Sequence, residues 1–203
     1  MTRPRHLTLS AAALALALPA LLSACGGSSE ANDDPSFDTS APLHGALPKD
    51  LQDQKSITIA SNVEYPPFEF YDTDNKTVLG IDREIADGLE KQLGIDIEFE
   101  NIAFDAIIPG LVSGRYEMAM SAMTDNKERQ QEVDFVDYFA AGAGVLAHEA
   151  DAEKYAALDD MCGTTVGIVK GTTEVAQAEE QSKECEAAGT TASSRSSSRA
   201  RTR

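Results

Sequence analysis

Two rhythms of apolar and polar residues alternate along this chain. In SITIAS, Ile57 and Ile59 sit between polar neighbours, the two-residue period of a half-buried strand. FEFYDTDNKTVLG follows, and its Asp72-Thr73-Asp74-Asn75 tip has the turn chemistry of a hairpin. Ile81, Ile85, Leu89 and Leu93 then recur at every fourth position, one face of a helix that Gly94 closes. Ile95, Ile97 and Phe99 alternate as a second strand. Ala106, Ile107, Ile108, Leu111 and Val112 predict a second helix with Pro109 in its first turn, and Tyr116 to Ser121 predict a third strand. Right-handed crossovers make these strands parallel. DNKERQQ after Thr124 reads as a short helical turn, and FVDYF and AGVLAHE as strands that leave this lobe. Beyond Leu158 the plan begins again, with a strand at Val166 to Val169, a Gly-Thr-Thr loop and a helix. Strand and helix in alternation predict an α/β fold. The second unit, with one strand and one helix, is short of a core.

Before Ser56 the character differs. Residues 1–25 pair a basic start (Arg3, Arg5) with an apolar stretch from Leu7 to Leu22, the order of a secretory signal, and that stretch is shorter than the ~20 residues of a spanning helix. Its end, Leu22-Ser23-Ala24-Cys25 before Gly26-Gly27, resembles the lipobox of bacterial lipoproteins, which implies a lipidated Cys25 and anchorage to the bilayer outside the cytoplasm. Residues 26–54, rich in Gly, Ser, Asp and Pro, then read as a flexible tether. With Cys25 acylated, the count of three cysteines leaves Cys162 and Cys185, either paired in an oxidising compartment or as two thiols.

Charge narrows the function. Outside the leader and the last 14 residues, 11 Lys and Arg face 34 Asp and Glu, a net −23 against −17 for the whole chain. So acidic a body excludes nucleic acid as a partner, because phosphate contacts need a basic footprint. Only His6, His44 and His148 are present, which makes a histidine metal site or a Ser-His-Asp triad hard to build, and no cofactor is expected. The Asp72 loop fails as a calcium loop, since Lys76 stands where an oxygen ligand is wanted and Thr77 where glycine is. Lys170-Gly171-Thr172 has phosphate-loop residue types in the wrong order.

One cluster remains. Ser121, Ala122, Met123, Thr124 and Arg129 follow the third parallel strand, and ligands of open α/β sheets sit outside the carboxyl ends of strands. Arg129 there is either a bidentate carboxylate ligand, completed by the Ser121 and Thr124 hydroxyls, or a solvated surface charge. Thr172 and Thr173 either offer backbone N–H groups to an anion or cap a helix. Tyr65, Phe68 and Phe104 either stack on a ligand or belong to the core.

In this order, ITIASNVEYPPFEFYD, LGIDREIADGLEKQLGIDIEFE, FDAIIPGLVSGRYEMAMSAMTDNKERQQEVDFVDYF and TTVGIVKGTTEVAQ resemble the amino-acid-binding proteins of bacterial ABC importers, extracellular solute-binding protein family 3. The resemblance implies a type II periplasmic-binding-protein fold, with lobe 1 at residues 55–144 and a partial lobe 2 at 145–189. It implies a monomer that captures a polar amino acid and hands it to membrane permease subunits. Tyr65 and Phe104 would flank the ligand side chain, with Asn62 nearby. Ser121, Ala122, Thr124 and Arg129 would hold the α-carboxylate, and Thr172 and Thr173 would reach it from the second lobe. The family's second lobe normally continues, supplies an acid for the α-amino group and returns to the first. Here residues 190–203, TTASSRSSSRARTR, read instead as an unpacked tail, from a shifted frame or truncated gene, which would impair binding. Two alternatives stay open: a lyase of the cyclohexadienyl-dehydratase kind, using Glu64, Glu69 or Lys170, which read equally well as surface charges, and a chain without function.

Overall fold

The computed structural model describes residues 37–197; the leader, Cys25, residues 26–36 and residues 198–203 lie outside the described residues. In chain order the elements are α1 (Lys49–Gln52), β1 (Ser56–Ser61), β2 (Glu64–Tyr65), β3 (Glu69–Tyr71), β4 (Val78–Leu79), α2 (Ile81–Leu93), β5 (Asp96–Asn101), α3 (Ile107–Val112), β6 (Met118–Ala119), β7 (Thr165–Ile168), α4 (Thr173–Ala187) and β8 (Ser194–Ser197). Short 3-10 turns at His44–Ala46, Phe104–Ala106, Arg129–Gln131, Glu149–Tyr155 and Leu158–Met161 join them.

The two-residue period of β1 decides the layers. It lies between β5 and β6, parallel to both, with Ile57 beside Ile97 and Ile59 beside Phe99 and Met118. Ile57 and Ile59 point to one face, where they meet Ala86, Ile95 and Ile97 with Leu89 and Leu93 of α2 around them. Ala60 points to the other, against Ile107 and Tyr116. Each face of the sheet is therefore covered by one helix, as the crossover rule requires. The expected hairpin forms from β3 and β4, and β2 adds to it antiparallel.

α2 differs from its expected stripe by one position. Its fully buried residues are Asp82 and Ala86, with Leu89 and Leu93 continuing that face, while Ile81 and Ile85 are only partly covered. Gly94 closes the helix with φ 67° and its N–H on Glu90 O, as expected. Arg83 ties α2 to the sheet: Nε donates to Asp87 Oδ1 and Nη2 to Glu90 Oε1, both at 2.6 Å, and Nη1 to Ile97 O at 2.8 Å.

Three expectations need correction. The expected tether packs over its described part: His44 Nδ1 donates to Leu93 O at 2.8 Å, Asp38 N–H to Gly94 O and Leu43 N–H to Gln92 O, capping the end of α2, while Leu47 and Leu51 join the core. Ala41, His44, Leu47 and Leu51 recur at intervals of three and four, the spacing that lays one face on a neighbour. FVDYF and AGVLAHE form no ladder among the described residues, and Val136 and Leu146 are exposed. Strand structure needs an edge to pair with; β6 ends at Ala119, and Ala122 beyond it stands at φ 43°. Finally, residues 194–197 of the Ser/Arg-rich segment pair parallel with β7. Hydrogen bonds accompany this pairing: Ser193 Oγ donates to Met161 O at 2.7 Å, and Thr165 Oγ1 and Ser194 Oγ share one at 2.7 Å.

Cys162 and Cys185 form a disulfide that joins the 3-10 turn at Leu158–Met161 to α4. With 23 residues of separation, cross-linking removes chain entropy from the unfolded state worth about 3 kcal/mol. Reduction, or the double change to Ser, is expected to lower the thermal midpoint of the 158–197 region; an unchanged melt would remove the bridge from the stability account.

Candidate functional site

The carboxyl ends of β1, β5 and β6 converge, and side-chain amides and hydroxyls fasten them together. Asn62 Nδ2 donates to Ile102 O at 3.0 Å, and Val63 N–H to Asn101 Oδ1 at 3.0 Å. Asn62 N–H donates to Ser121 Oγ at 2.9 Å, which links the end of β1 to the segment after β6. Asn62 thus spends its side chain on the scaffold.

Arg129 sits in front of these ends. It is 9 % exposed, its guanidinium lies 5.7 Å from the Phe104 ring centroid, and Nη1 and Nη2 donate to Thr124 O and to Gly171 O, the latter at 2.8 Å. The surface-charge reading of Arg129 does not describe it. Its backbone N–H is held by Asn126 Oδ1 at 2.9 Å, the start of the 3-10 turn that aims the side chain inward. Burial pulls its pKa down, and Glu174 and Glu128 oppose that pull. A guanidinium stays charged through such a shift, so the site keeps a positive group with a planar set of donors.

Gly171 reaches this cluster because it has no Cβ: φ is +79°, and a Cβ would lie 2.9 Å from Cα and Cβ of Asp105. Thr172 and Thr173 follow it into α4. Their hydroxyls turn to their own loop, Thr172 Oγ1 to Val169 O at 2.9 Å and Thr173 Oγ1 to Glu174 Oε2 at 3.4 Å. Phe104, Thr124, Arg129 and the Gly171 loop are therefore brought together. Tyr65 is not among them: it is 55 % exposed and stacks on Phe68 at 5.6 Å, and Phe68 meets Phe139 edge-on at 4.8 Å.

Ser121 and Ala122 connect the site to a buried acidic network of which the sequence had pointed only to Glu69. Ser121 Oγ donates to Glu69 Oε1 at 2.9 Å, Tyr138 Oη donates to Asp82 Oδ1 at 2.9 Å, and Ala122 N–H donates to Tyr138 Oη at 3.0 Å. Glu69, which from sequence read equally well as an acid/base or a surface charge, is 1 % exposed, and Asp82 is fully buried. Burial first, and the Asp82 charge second, push the Glu69 carboxyl up to about 9. Burial likewise raises Asp82 and Tyr138. A carboxyl that keeps its proton when folded and loses it when unfolded makes the folded state the greater proton binder, so stability falls as pH rises. From about pH 5 to about pH 9 the expected slope is up to about 1.4 kcal/mol per pH unit for each such proton. Urea unfolding across that range checks it, and stability rising with pH would contradict it.

Among the described residues no group of three or more His, Cys, Asp or Glu is placed to hold a metal, and no described helix is long and apolar enough to cross a membrane.

The chain is similar to known proteins in sequence and in fold. The chain is 28 % identical over 148 residues to the arginine-binding protein ArgT of Corynebacterium glutamicum, covering 72 % of this chain and 48 % of that protein. It is 35 % identical over 164 residues to a probable histidine-binding protein of Neisseria gonorrhoeae, covering 79 % and 55 %. Among solved structures it resembles the ancestral amino acid-binding protein AncCDT-1, a precursor of cyclohexadienyl dehydratase, with a TM-score of 0.65 and 28 % identity over 73 % of this chain and 63 % of that one. It also resembles the amino acid ABC transporter substrate-binding protein AbpA of Streptococcus pneumoniae bound to L-arginine, with a TM-score of 0.63 and 25 % identity over 70 % and 58 %. The chain spans about half the length of the curated relatives it matches. The fold is thus the α/β periplasmic-binding-protein fold, and these relatives are binding proteins rather than enzymes. The model of the bacterial extracellular solute-binding proteins, family 3, matches residues 57–194, more than half of the chain, and the protein belongs to that family.

Proposed function

We propose that this protein captures a polar amino acid, with a cationic one such as arginine preferred, outside the cytoplasm and presents it to the membrane subunits of an ABC importer. The observation that carries the reading is Arg129: a buried guanidinium on Phe104, at the strand ends, in contact with the Gly171 loop from the other side. A ligand carboxylate that displaces the Thr124 and Gly171 carbonyls exchanges neutral acceptors for a charged one, which makes stronger, bidentate bonds. Phe104 is then the apolar wall, and the Thr172 segment supplies backbone N–H groups. Relatives described as binding arginine or histidine support the choice of ligand, as does the acidic body, which attracts cations.

In this reading lobe 1 occupies residues 55–144 and lobe 2 begins at 145, so that Arg129 and Gly171 face one another across the cleft, and the protein acts as a monomer. Cys25 carries the lipid that keeps it at the bilayer; its change to Ser would abolish incorporation of a labelled fatty acid. A thermal-shift screen against the twenty amino acids tests the function. A ligand at a hundredfold excess over its dissociation constant adds about 2.7 kcal/mol to the folded state, so one or a few polar amino acids should raise the midpoint. A cooperative melt that no amino acid shifts would refute the reading.

A further inference from the structure

Glu69, Asp82 and Tyr138 have no task in this functional reading, yet they form the rear wall of the Ser121–Ala122 corner. Glu69 of β3 and Asp82 in the first turn of α2 are 1 % and 0 % exposed, and their carboxyls lie within hydrogen-bonding reach of one another. Each has one oxygen served, Glu69 Oε1 by Ser121 Oγ and Asp82 Oδ1 by Tyr138 Oη. The other two, Glu69 Oε2 and Asp82 Oδ2, are buried without a donor among the described residues. Among the described residues the groups that act on the pair are each other, Ser121, Tyr138 and the Ala122 N–H, with no Lys, Arg or His. Two adjacent carboxylates cannot both ionise in such surroundings without a cation. One proton between the two unserved oxygens satisfies both at once. The N-terminal end of α2 favours negative charge on Asp82, which leaves the proton on Glu69.

We propose that Glu69 and Asp82 hold a single proton between them, and that this shared proton fixes the Ser121–Ala122 corner in the geometry that receives an amino-acid carboxylate. The role of the corner rests on the function proposed above; the proton and its hold on the backbone do not. The corner is fastened from two sides, Ser121 Oγ on Glu69 and Ala122 N–H on Tyr138 Oη, which Asp82 holds in turn. Ala122 stands at φ 43°, where a residue with a Cβ does not rest without support. Removing the proton sets two charges side by side. One carboxylate must then turn toward water, and Ser121 or Tyr138 loses its partner. Glu69 and Asp82 are thus positioning residues, and the ligand site is expected to loosen in alkali.

Carbon-13 and nitrogen-15 NMR of the full chain, followed from about pH 5 to about pH 11, tests this without ligand. One proton of the pair should titrate well above the ordinary carboxylate range, and the Ala122 amide should move with the same midpoint. Glu69→Gln, which keeps a donor for Asp82, should remove that titration and hold the Ala122 amide at its low-pH position. Both carboxyls ionised by about pH 6, or an Ala122 amide that stays still while the pair titrates, would overturn the proposal. If Glu69→Gln fails to fold, the wild-type titration alone decides. For binding, the readout is the ratio of wild-type to Glu69→Gln affinity for L-arginine, in which the ligand's own ammonium titration cancels. It should fall about tenfold or more between about pH 7 and about pH 10, and a constant ratio would overturn the coupling to the site. A wild-type chain that does not bind L-arginine at about pH 7 would count against the functional reading alone, and the Ala122 titration would still decide the proton and its corner.

Discussion

Arg129→Ala is expected to weaken amino-acid binding by about a hundredfold or more, about 3 kcal/mol, the range for truncating one partner of a buried charge pair. Arg129→Lys should recover little of it. An ammonium offers a point charge where the planar guanidinium both lies against Phe104 and reaches two acceptors, Thr124 O and Gly171 O. The fold should survive both changes, because those carbonyls lie on loops and Thr124 and Gly171 are exposed to water. Calorimetric titration reads the affinity, and circular dichroism melts control for folding. A variant that binds as the wild type does would remove Arg129 from the site.

Gly80→Ala is expected to destabilise the fold strongly. Gly80 has φ +120°, a region that L-residues rarely adopt, and its Cβ would lie 2.2 Å from Phe68 O and 2.7 Å from Pro67 O. Both contacts are to backbone, so no side chain can swing away. The same carbonyls receive Ile81 N–H at 3.1 Å and Asp82 N–H at 3.0 Å, which starts α2 against β3. Strain and overlap, each about 1–3 kcal/mol, add at this point, for a loss of about 3 kcal/mol or more. The displacement would also part Asp82 from Glu69. Urea unfolding measures the loss, and a variant within about 1 kcal/mol of the wild type would show that the hairpin and helix can separate freely.

The lobe around β1 was legible because half-buried elements obey their periods. Ile57 and Ile59 announce a strand, Leu89 and Leu93 a helix, and Gly94 its end. Arg129 was legible as a candidate from its place after the third strand, although only the structure shows that it is buried. Asp82 was not legible, and Glu69 only as a group that read equally well as an acid/base or a surface charge. An acid near the start of a helix or within a hairpin reads as solvated, and only the meeting of β3, α2, Ser121 and Tyr138, from distant parts of the chain, buries them. Asp82 nevertheless carries a faint signal: it stands four residues before Ala86 and seven before Leu89, on the buried face. Ala41, His44, Leu47 and Leu51 were hidden differently, since an alanine and a histidine among Gly, Ser, Asp and Pro weaken an apolar stripe to the point where composition suggests a tether. The pairing of β8 with β7 rests on backbone and hydroxyl bonds that no apolar pattern encodes.

In the proposed function Arg129 receives the carboxylate of an amino acid. Calorimetric titration with L-arginine and with agmatine, which keeps the guanidinium and the amino group but lacks the carboxylate, tests it most directly. L-arginine should bind saturably and agmatine about a hundredfold or more weakly, since a buried cation is then left without its anion. Equal affinity for the two would contradict it.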